Sequence, residues 1–491
     1  MSGAFDPEAL QGNILRGYRR ALVRHVMLGV RDRAAARGFL AASVAGGSDA
    51  VPAITRENHR HNKWTPQTKP PVCFNLGLTH AGLRALGVPA QDLASFPTEF
   101  VEGMARRARK LGDYGDSAPD RWPAPFDRPG RIHLVASIHA DDRQPLDRLE
   151  GQLARAFDVL GVRDGRNLPE DKVVFGYRDN ISQPRFEHVV DPDLLDRSEP
   201  IDPLGTILLG HPTRMSDLTF RVPSPDVLGR DGAFSAFRVL AQDAAGFEAY
   251  LDEAAERLLG DPRADGLLAP GTEGWIAPFL GEALHQGQGA RLGARFGTRT
   301  NRFLALREVV AAQMCGRWRN GVPVALSPDT PLPDPPVSLT DFDYAQGSRC
   351  PAGAHMRRCN PRGGPIVQRI ANYTRRLVRR GMSYGPDFDP LAPDAAERGL
   401  LGNFIGANLG AQFEAVMCDW LNLGLQDPDI TGSNDPLLGA NAAQTSWFDL
   451  APGDGGTIRL RGLPRFVTTR GGAYLFLPSL PALRHLSQLE G

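Results

Sequence analysis

Hydrophobic and polar positions fall into the same order four times along the chain. The stretches are HVMLGVRDRAAARGFLAAS (25–43), RIHLVASIHADDRQPLDRLEGQL (131–153), FSAFRVLAQDAAGFEAYLDEAAERLL (234–259) and RFVTTRGGAYLFLPSLPALRHLSQL (465–489). Each opens on a run suited to a β-strand, passes a joint of polar or small residues, and continues with apolar residues at helical spacing. Two units precede residue 200 and two follow it, which predicts an α+β chain of two ferredoxin-like domains. Each is a split βαβ with helices on one face of an antiparallel sheet. The chain of 491 residues also exceeds the size at which one core keeps growing. The expected domains are 1–200 and 201–491, the second carrying a long insertion over roughly 260–460.

Chemistry gathers at two places. VVFGYRDNISQP (173–184) reads as a strand ending on Arg178, Asp179 and Asn180 at the junction of the halves, where pockets tend to form. Asp179 there suits either an ordinary Asx turn or an acid facing a pocket. Inside the insertion, after the proline-rich loop SPDTPLPDPPVSL (327–339), GSRCPAGAHMRRCNPRG (347–363) sets His355 between Cys350 and Cys359. Their spacings of five and four match no familiar structural zinc site and a fourth ligand is missing, while CPAGAH lacks the CxxCH of covalent haem attachment. A satisfied histidine in a basic loop is the plain reading. A histidine can also ligate haem iron without a covalent tether, with neighbouring arginines suited to the propionates. NYTRRLVRRGMSYGP (372–386) predicts a short helix stopped by Gly381. At helical spacing Arg375 pairs with Arg379 and Arg376 with Arg380, so at most two of these cations face one small site. An anionic cofactor is a good reason to gather them.

Composition narrows the partners. With 56 basic and 56 acidic residues the formal net charge is zero, which points to a small molecule and away from nucleic acid or an anionic membrane surface. Five thinly spread cysteines, and an N-terminus without an apolar signal core, predict a reduced, cytoplasmic protein. No apolar run reaches 18 residues, so no membrane span is expected.

Eight stretches together resemble the dye-decolourising peroxidases, in particular their long bacterial and fungal branch. They are LQGNILRGY, FVEGMARRARKLGD, VVFGYRDNISQP, CGRWRNGVPVALSP, FDYAQGSRCPAGAHMRRCNPR, TRRLVRRGMSYGP, QFEAVMCDWLN and GGAYLFLPSL, spread over most of the chain. The resemblance implies two ferredoxin-like halves, the second holding a non-covalent haem b. It implies hydrogen peroxide as one substrate and a phenolic, dye-like or secondary-metabolite donor as the other. It leaves room for a homo-oligomer.

Residue by residue, the resemblance makes His355, the histidine of CPxxAHxR, the proximal ligand of the haem iron. Asp179, the aspartate of GxxDG, becomes the distal acid, with Asn180 and Ile181 beside it against the cofactor. Arg376 is the expected distal arginine, with Arg375 one alignment step away, and Arg362 is expected to meet a haem propionate. Asp179 would carry a proton from the inner to the outer peroxide oxygen while Arg376 stabilises the departing charge. An aspartate base, with its ordinary pKa near 3.9, predicts activity best in mild acid.

Two positions depart from the family pattern. Asn180 replaces the glycine of GxxDG, and asparagine tolerates positive φ. Gly402 in GLLGNF replaces the phenylalanine of GLLF, which predicts a wider approach or a ring supplied by Phe404. Asp435 is a candidate carboxylate behind His355, against an Asx turn before Pro436. Trp318, Trp420 and Tyr384 read as core aromatics. The rival functions are a haem protein with little peroxidase turnover, owing to Asn180 and Gly402, and a ferredoxin-like binding module without haem.

Overall fold

In the computed structural model, which describes residues 5–57, 69–187, 199–215, 218–269, 271–345, 348–365 and 371–489, the strand and helix units follow the pattern. Strand β1 (Leu22–Gly29) leads to helix α1 (Arg33–Val44), whose first turn is capped by the Asp32 carboxylate accepting the Ala35 N–H. Strands β2 (Val72–Leu78) and β3 (Leu134–Ala140), helix α2 (Arg143–Ala156) and strand β4 (Asp158–Arg166) complete the first half. Leu146, Leu149 and Leu153 give α2 its buried face. The second half has β5 (Ala233–Gln242), α3 (Ala244–Leu259), β6 (Val378–Tyr384), β7 (Gly399–Gly406) and β8 (Val467–Leu477). Between α3 and β6 come α4 (Thr300–Cys315), almost wholly buried, and the short α5 (His355–Cys359).

Within each half the sheet order is fourth, first, third, second strand, all antiparallel: β4-β1-β3-β2, then β8-β5-β7-β6. The halves do not stay apart. Phe476 of β8 pairs with Leu78 of β2, and Ser383 of β6 with Arg166 of β4, closing all eight strands into one barrel.

Five local expectations are corrected. The fourth unit does contain β8 and a helix, α6 (Leu480–Ser487), but α6 packs on α1 of the other half. The second helical place of the C-terminal half belongs to two π-wound segments, Leu409–Glu414 and Val416–Asn422. The insertion is shorter than expected, because β6 and β7 belong to the barrel. TRRLVRRG is not helical through Gly381: after a helix at Ala371–Thr374 the chain becomes β6, with Arg379 opposite Phe404 and Gly381 opposite Gly402. VVFGYRDN is not a strand; Gly176, at φ 80°, turns the chain so that the Val173 N–H donates to the Tyr177 carbonyl.

The inward face of the first half is polar. His25, Ser137 and Asn75 lie in one cross-strand row, with His25 Nδ1 3.0 Å from Ser137 Oγ and the ring against Phe237 of the other half. Burial pushes His25 down to about 4 and His139 down to about 3, so both imidazoles are neutral in the fold. The unfolded chain takes up these protons near pH 6.5, so this contribution to stability is lost as pH falls from about 6.5 towards 4. Nearby Glu57, raised to about 7 by burial, acts with opposite sign: its contribution is full in acid and lost as pH rises through about 7. His25→Gln is therefore expected to narrow its stability deficit relative to the parent between pH 7 and pH 5, by about 2 kcal/mol. Denaturant melts at the two pH values measure it; a deficit independent of pH removes His25 as an acid-sensitive group. Among the described residues, no helix is long and apolar enough to cross a membrane.

Candidate active site

His355 is the first residue of α5, and its ring is fixed from behind by Asp435. Asp435 Oδ1 accepts the backbone N–H groups of Leu437 (2.9 Å) and Leu438 (2.7 Å), which is the Asx turn expected before Pro436. Its Oδ2 faces His355 Nδ1 at 3.0 Å, so one carboxylate both closes the turn and orients the imidazole. Burial opposes charge on this pair, yet the carboxylate outweighs it and lifts His355 well above its ordinary range, while His355 in turn holds Asp435 low. With Nδ1 engaged, Nε2 is the nitrogen left to a ligand. Cys359, one helical turn on, places its sulfur 3.8 Å from Nε2, whereas Cys350 is buried with its sulfur towards the Pro351 carbonyl.

Asp179 stands in the loop that the Gly176 turn creates. Its own N–H donates to the Asp171 carbonyl at 2.8 Å, and among the described residues its carboxylate makes no hydrogen bond. Asn180 has φ 59°, the left-handed conformation a glycine would take at no cost, and its amide is directed to Asp171 Oδ1 at 3.5 Å. Ile181 packs on Gly321.

The arginines divide in a way helical spacing did not predict. Arg376, expected beside Asp179, is bound by two buried carboxylates: Nη2 lies 3.0 Å from Glu199 Oε2 and Nε 2.8 Å from Asp202 Oδ2. Arg362 meets the other oxygen of Glu199 at 2.6 Å, with its guanidinium 4.2 Å above the Phe342 ring. Arg375 pairs with Asp419 at 3.0 Å and covers Trp420. Strand alternation in β6 sends Arg380 the other way, where it donates to the carbonyls of Asn13 and Ile14. Arg379 is the exception. Its Nη2 donates to the Ser182 carbonyl at 2.8 Å and, among the described residues, it has no carboxylate partner.

Asp179, His355, Arg362, Arg376 and Arg379 all line one cavity, although they lie as much as two hundred positions apart. The centre of a water molecule can sweep about 280 Å³ of it, far more than the ~10–15 Å³ one water needs. Leu400, Phe404, Phe413, Met417, Leu421 and Leu437 give it apolar walls. Phe404 and Gly402 share a face of β7, and a Cβ at 402 would lie 2.7 Å from the Phe404 ring. Phe404 thus fills the space a side chain at 402 would use.

Cations exceed anions at the cavity. Burial pushes Arg317 down to about 10 and also lowers Arg362; among the described residues, Arg317 Nη2 and Arg376 Nη1 are buried without a hydrogen-bond partner. Apolar walls, under-satisfied guanidiniums and a carboxylate-backed imidazole fit a flat apolar group with an anionic edge and a metal at its centre, as haem is. The sequence reading missed the Glu199–Asp202 pair, because SEPIDPL offers only two acids among prolines and gives no sign that they face buried arginines.

Residues 9–159 match the family profile of the DyP dimeric alpha+beta barrel domain. The multifunctional dye peroxidase DyP2 of an Amycolatopsis species is 28% identical over 98% of this chain and 95% of its own length. Peroxidase 2 of Mycetinis scorodonius is 26% identical over 97% of this chain and 86% of its own. Among solved structures, a dye-decolorizing peroxidase in complex with 2,6-dimethoxyphenol superimposes with a TM-score of 0.73, at 28% identity, over 98% of this chain and 100% of that one.

Proposed function

Because the chain belongs to the dye-decolourising peroxidase family and is a peroxidase, we propose that it reduces hydrogen peroxide at a non-covalently held haem b and oxidises small phenolic, dye-like or secondary-metabolite donors. The observation that carries this reading is the convergence of His355, backed by Asp435, and Asp179 on one cavity. His355 Nε2 would hold the iron, and Arg362 with Arg317 would take the acidic edge of the cofactor. Bound haem supplies the iron at which peroxide accepts two electrons and from which donors are oxidised one electron at a time. The complex of a related peroxidase with 2,6-dimethoxyphenol supports a phenolic donor.

Asp179 is the proton carrier in this reading. Its carboxylate takes the proton of the inner peroxide oxygen and returns it to the outer oxygen, which leaves as water. We place the distal cation at Arg379 in preference to Arg376, because Glu199 and Asp202 already neutralise Arg376 while Arg379 reaches the cavity from the same side as Ser182. A fixed guanidinium there offsets charge on the departing oxygen. Asn180 in its left-handed turn and Phe404 beside Gly402 weigh against the rival reading of a haem protein disabled by those two changes. A boundary near residue 200, between a half ending at the Asp179 loop and a half carrying His355, is part of the proposal, as is a cytoplasmic location, supported by five free thiols.

The absorption spectrum of the purified protein tests the reading: a haem band that changes on mixing with peroxide is expected, and its absence after reconstitution overturns it. Arg379→Leu is expected to slow the peroxide-driven change about 10²–10³-fold with haem retained. Arg376→Leu should instead lower stability, since it leaves Glu199 and Asp202 buried without that partner. The reverse pattern returns the cation role to Arg376.

A further inference from the structure

The CGRWRNGVPVALSP stretch helps to carry the family resemblance, and beyond Arg317 it has no part in the chemistry above. α4 ends at Cys315, Gly316 takes φ 91°, and the chain folds into a tight turn. The Trp318 N–H donates to the Val322 carbonyl (2.9 Å), the Gly321 N–H to the Trp318 carbonyl (2.8 Å), and the Trp318 indole N–H to the Ser327 carbonyl (2.8 Å). This turn holds the Asp179 loop on both flanks. Before Asp179, the Arg178 N–H donates to the Arg319 carbonyl at 2.9 Å, and Arg319 Nη1 donates to the Phe175 carbonyl at 2.6 Å. After it, Ile181 lies so close to Gly321 that a Cβ there would sit 2.6 Å from Ile181 Cδ1. Gly176 is equally confined, with 2.7 Å from its would-be Cβ to Arg319 Nη1.

The Arg319 guanidinium is itself immobilised. Nε donates to Glu308 Oε2 and Nη2 to Glu248 Oε1, each at 2.9 Å, and its central carbon lies over the Tyr177 ring, 5.4 Å from the centroid. Arg307 grips both carboxylates from the other side, at 2.8 Å for Glu308 and in a shorter contact to Glu248, and is anchored to Asp252 at 2.7 Å. Burial works against charge on Glu248, but Arg319 and Arg307 hold it below the ordinary carboxylate range. Two directions of a rigid fork are thus spent on acids and the third on the loop backbone, an arrangement a lysine cannot copy. Since the Asp179 carboxylate has no hydrogen bond of its own among the described residues, its aim is set by the backbone on either side of it.

We propose that Arg319 is a positioning residue: with the turn that carries it, it holds the Phe175–Ile181 backbone so that the Asp179 carboxylate faces the cavity. This rests on Asp179 being the proton carrier. The test uses the holoenzyme of Arg319→Lys, which keeps a cation between Glu248 and Glu308, together with Asp179→Asn and the double variant. Three results are expected for Arg319→Lys. Backbone hydrogen exchange of the peptide spanning 173–181 rises about tenfold or more. The peroxide-driven spectral change slows roughly 10–100-fold and the acid limb of its pH profile moves. In the Asp179→Asn background the same substitution adds less than about a factor of two. Exchange and pH profile like the parent's, or rate effects of the two substitutions that multiply, overturn the proposal. Should Arg319→Lys not load haem, Gly321→Ala, which pushes on Ile181 and leaves the ionic network whole, is judged by the same three readouts. If Asp179→Asn alone leaves the peroxide step unchanged, the reading of Asp179 falls, while the exchange result still decides whether Arg319 anchors the loop.

Discussion

Asp179→Asn loads haem and reacts with peroxide about 10²–10⁴ times more slowly than the parent, by stopped-flow absorbance; that is the expected result. The substitution is nearly isosteric, and the bonds that shape the loop are made by backbone atoms: Asp179 N–H to Asp171, and Arg178 N–H to Arg319. Among the described residues no donor is left unpaired when the carboxylate becomes an amide. The loss therefore falls on proton transfer and leaves folding intact. An amide cannot take a proton at these pH values, so raising the pH should not restore the rate. A variant as fast as the parent would return Asp179 to the ordinary role of a turn residue.

The second large effect is expected on the other side of the cavity. In Asp435→Asn the amide can keep its carbonyl oxygen on the Leu437 and Leu438 N–H groups, which turns its NH₂ towards His355 Nδ1. A donor there favours the tautomer in which Nδ1 accepts and Nε2 carries the hydrogen, and that nitrogen then has no lone pair for iron. Haem affinity should fall about 10–100-fold, measured by haem transfer to a competing haem-binding protein, and His355→Ala should lose haem altogether. Equal haem affinity in Asp435→Asn and the parent would show that the carboxylate serves only the turn.

Much of this architecture is legible before any coordinates. Apolar runs followed by helical spacing located β1, β3, β5 and β8, because each strand is buried over nearly its whole length and the change to helical period marks where it ends. Barrel closure was not legible, since each join rests on a single paired residue from opposite halves of the chain. TRRLVRRG misled for a physical reason: arginine and leucine favour helices, and only the neighbouring β7 draws these residues into a strand. The difference bears on the proposed distal cation, because a helix groups residues three or four apart where a strand separates neighbours: Arg376 is held by Glu199 and Asp202, while Arg379 in β6 has no carboxylate partner among the described residues. Asp435 shows the opposite case. Its two candidate roles were weighed as rivals, yet a carboxylate has two oxygens and here each serves one of them.

The barrel is zipped along six of its eight strand interfaces and only buttoned at the other two, each by one residue pair. Along those two seams, β2 beside β8 and β4 beside β6, most of the facing residues are not paired in register, so opening of the barrel is expected to begin there, with the two halves parting as separate sheets.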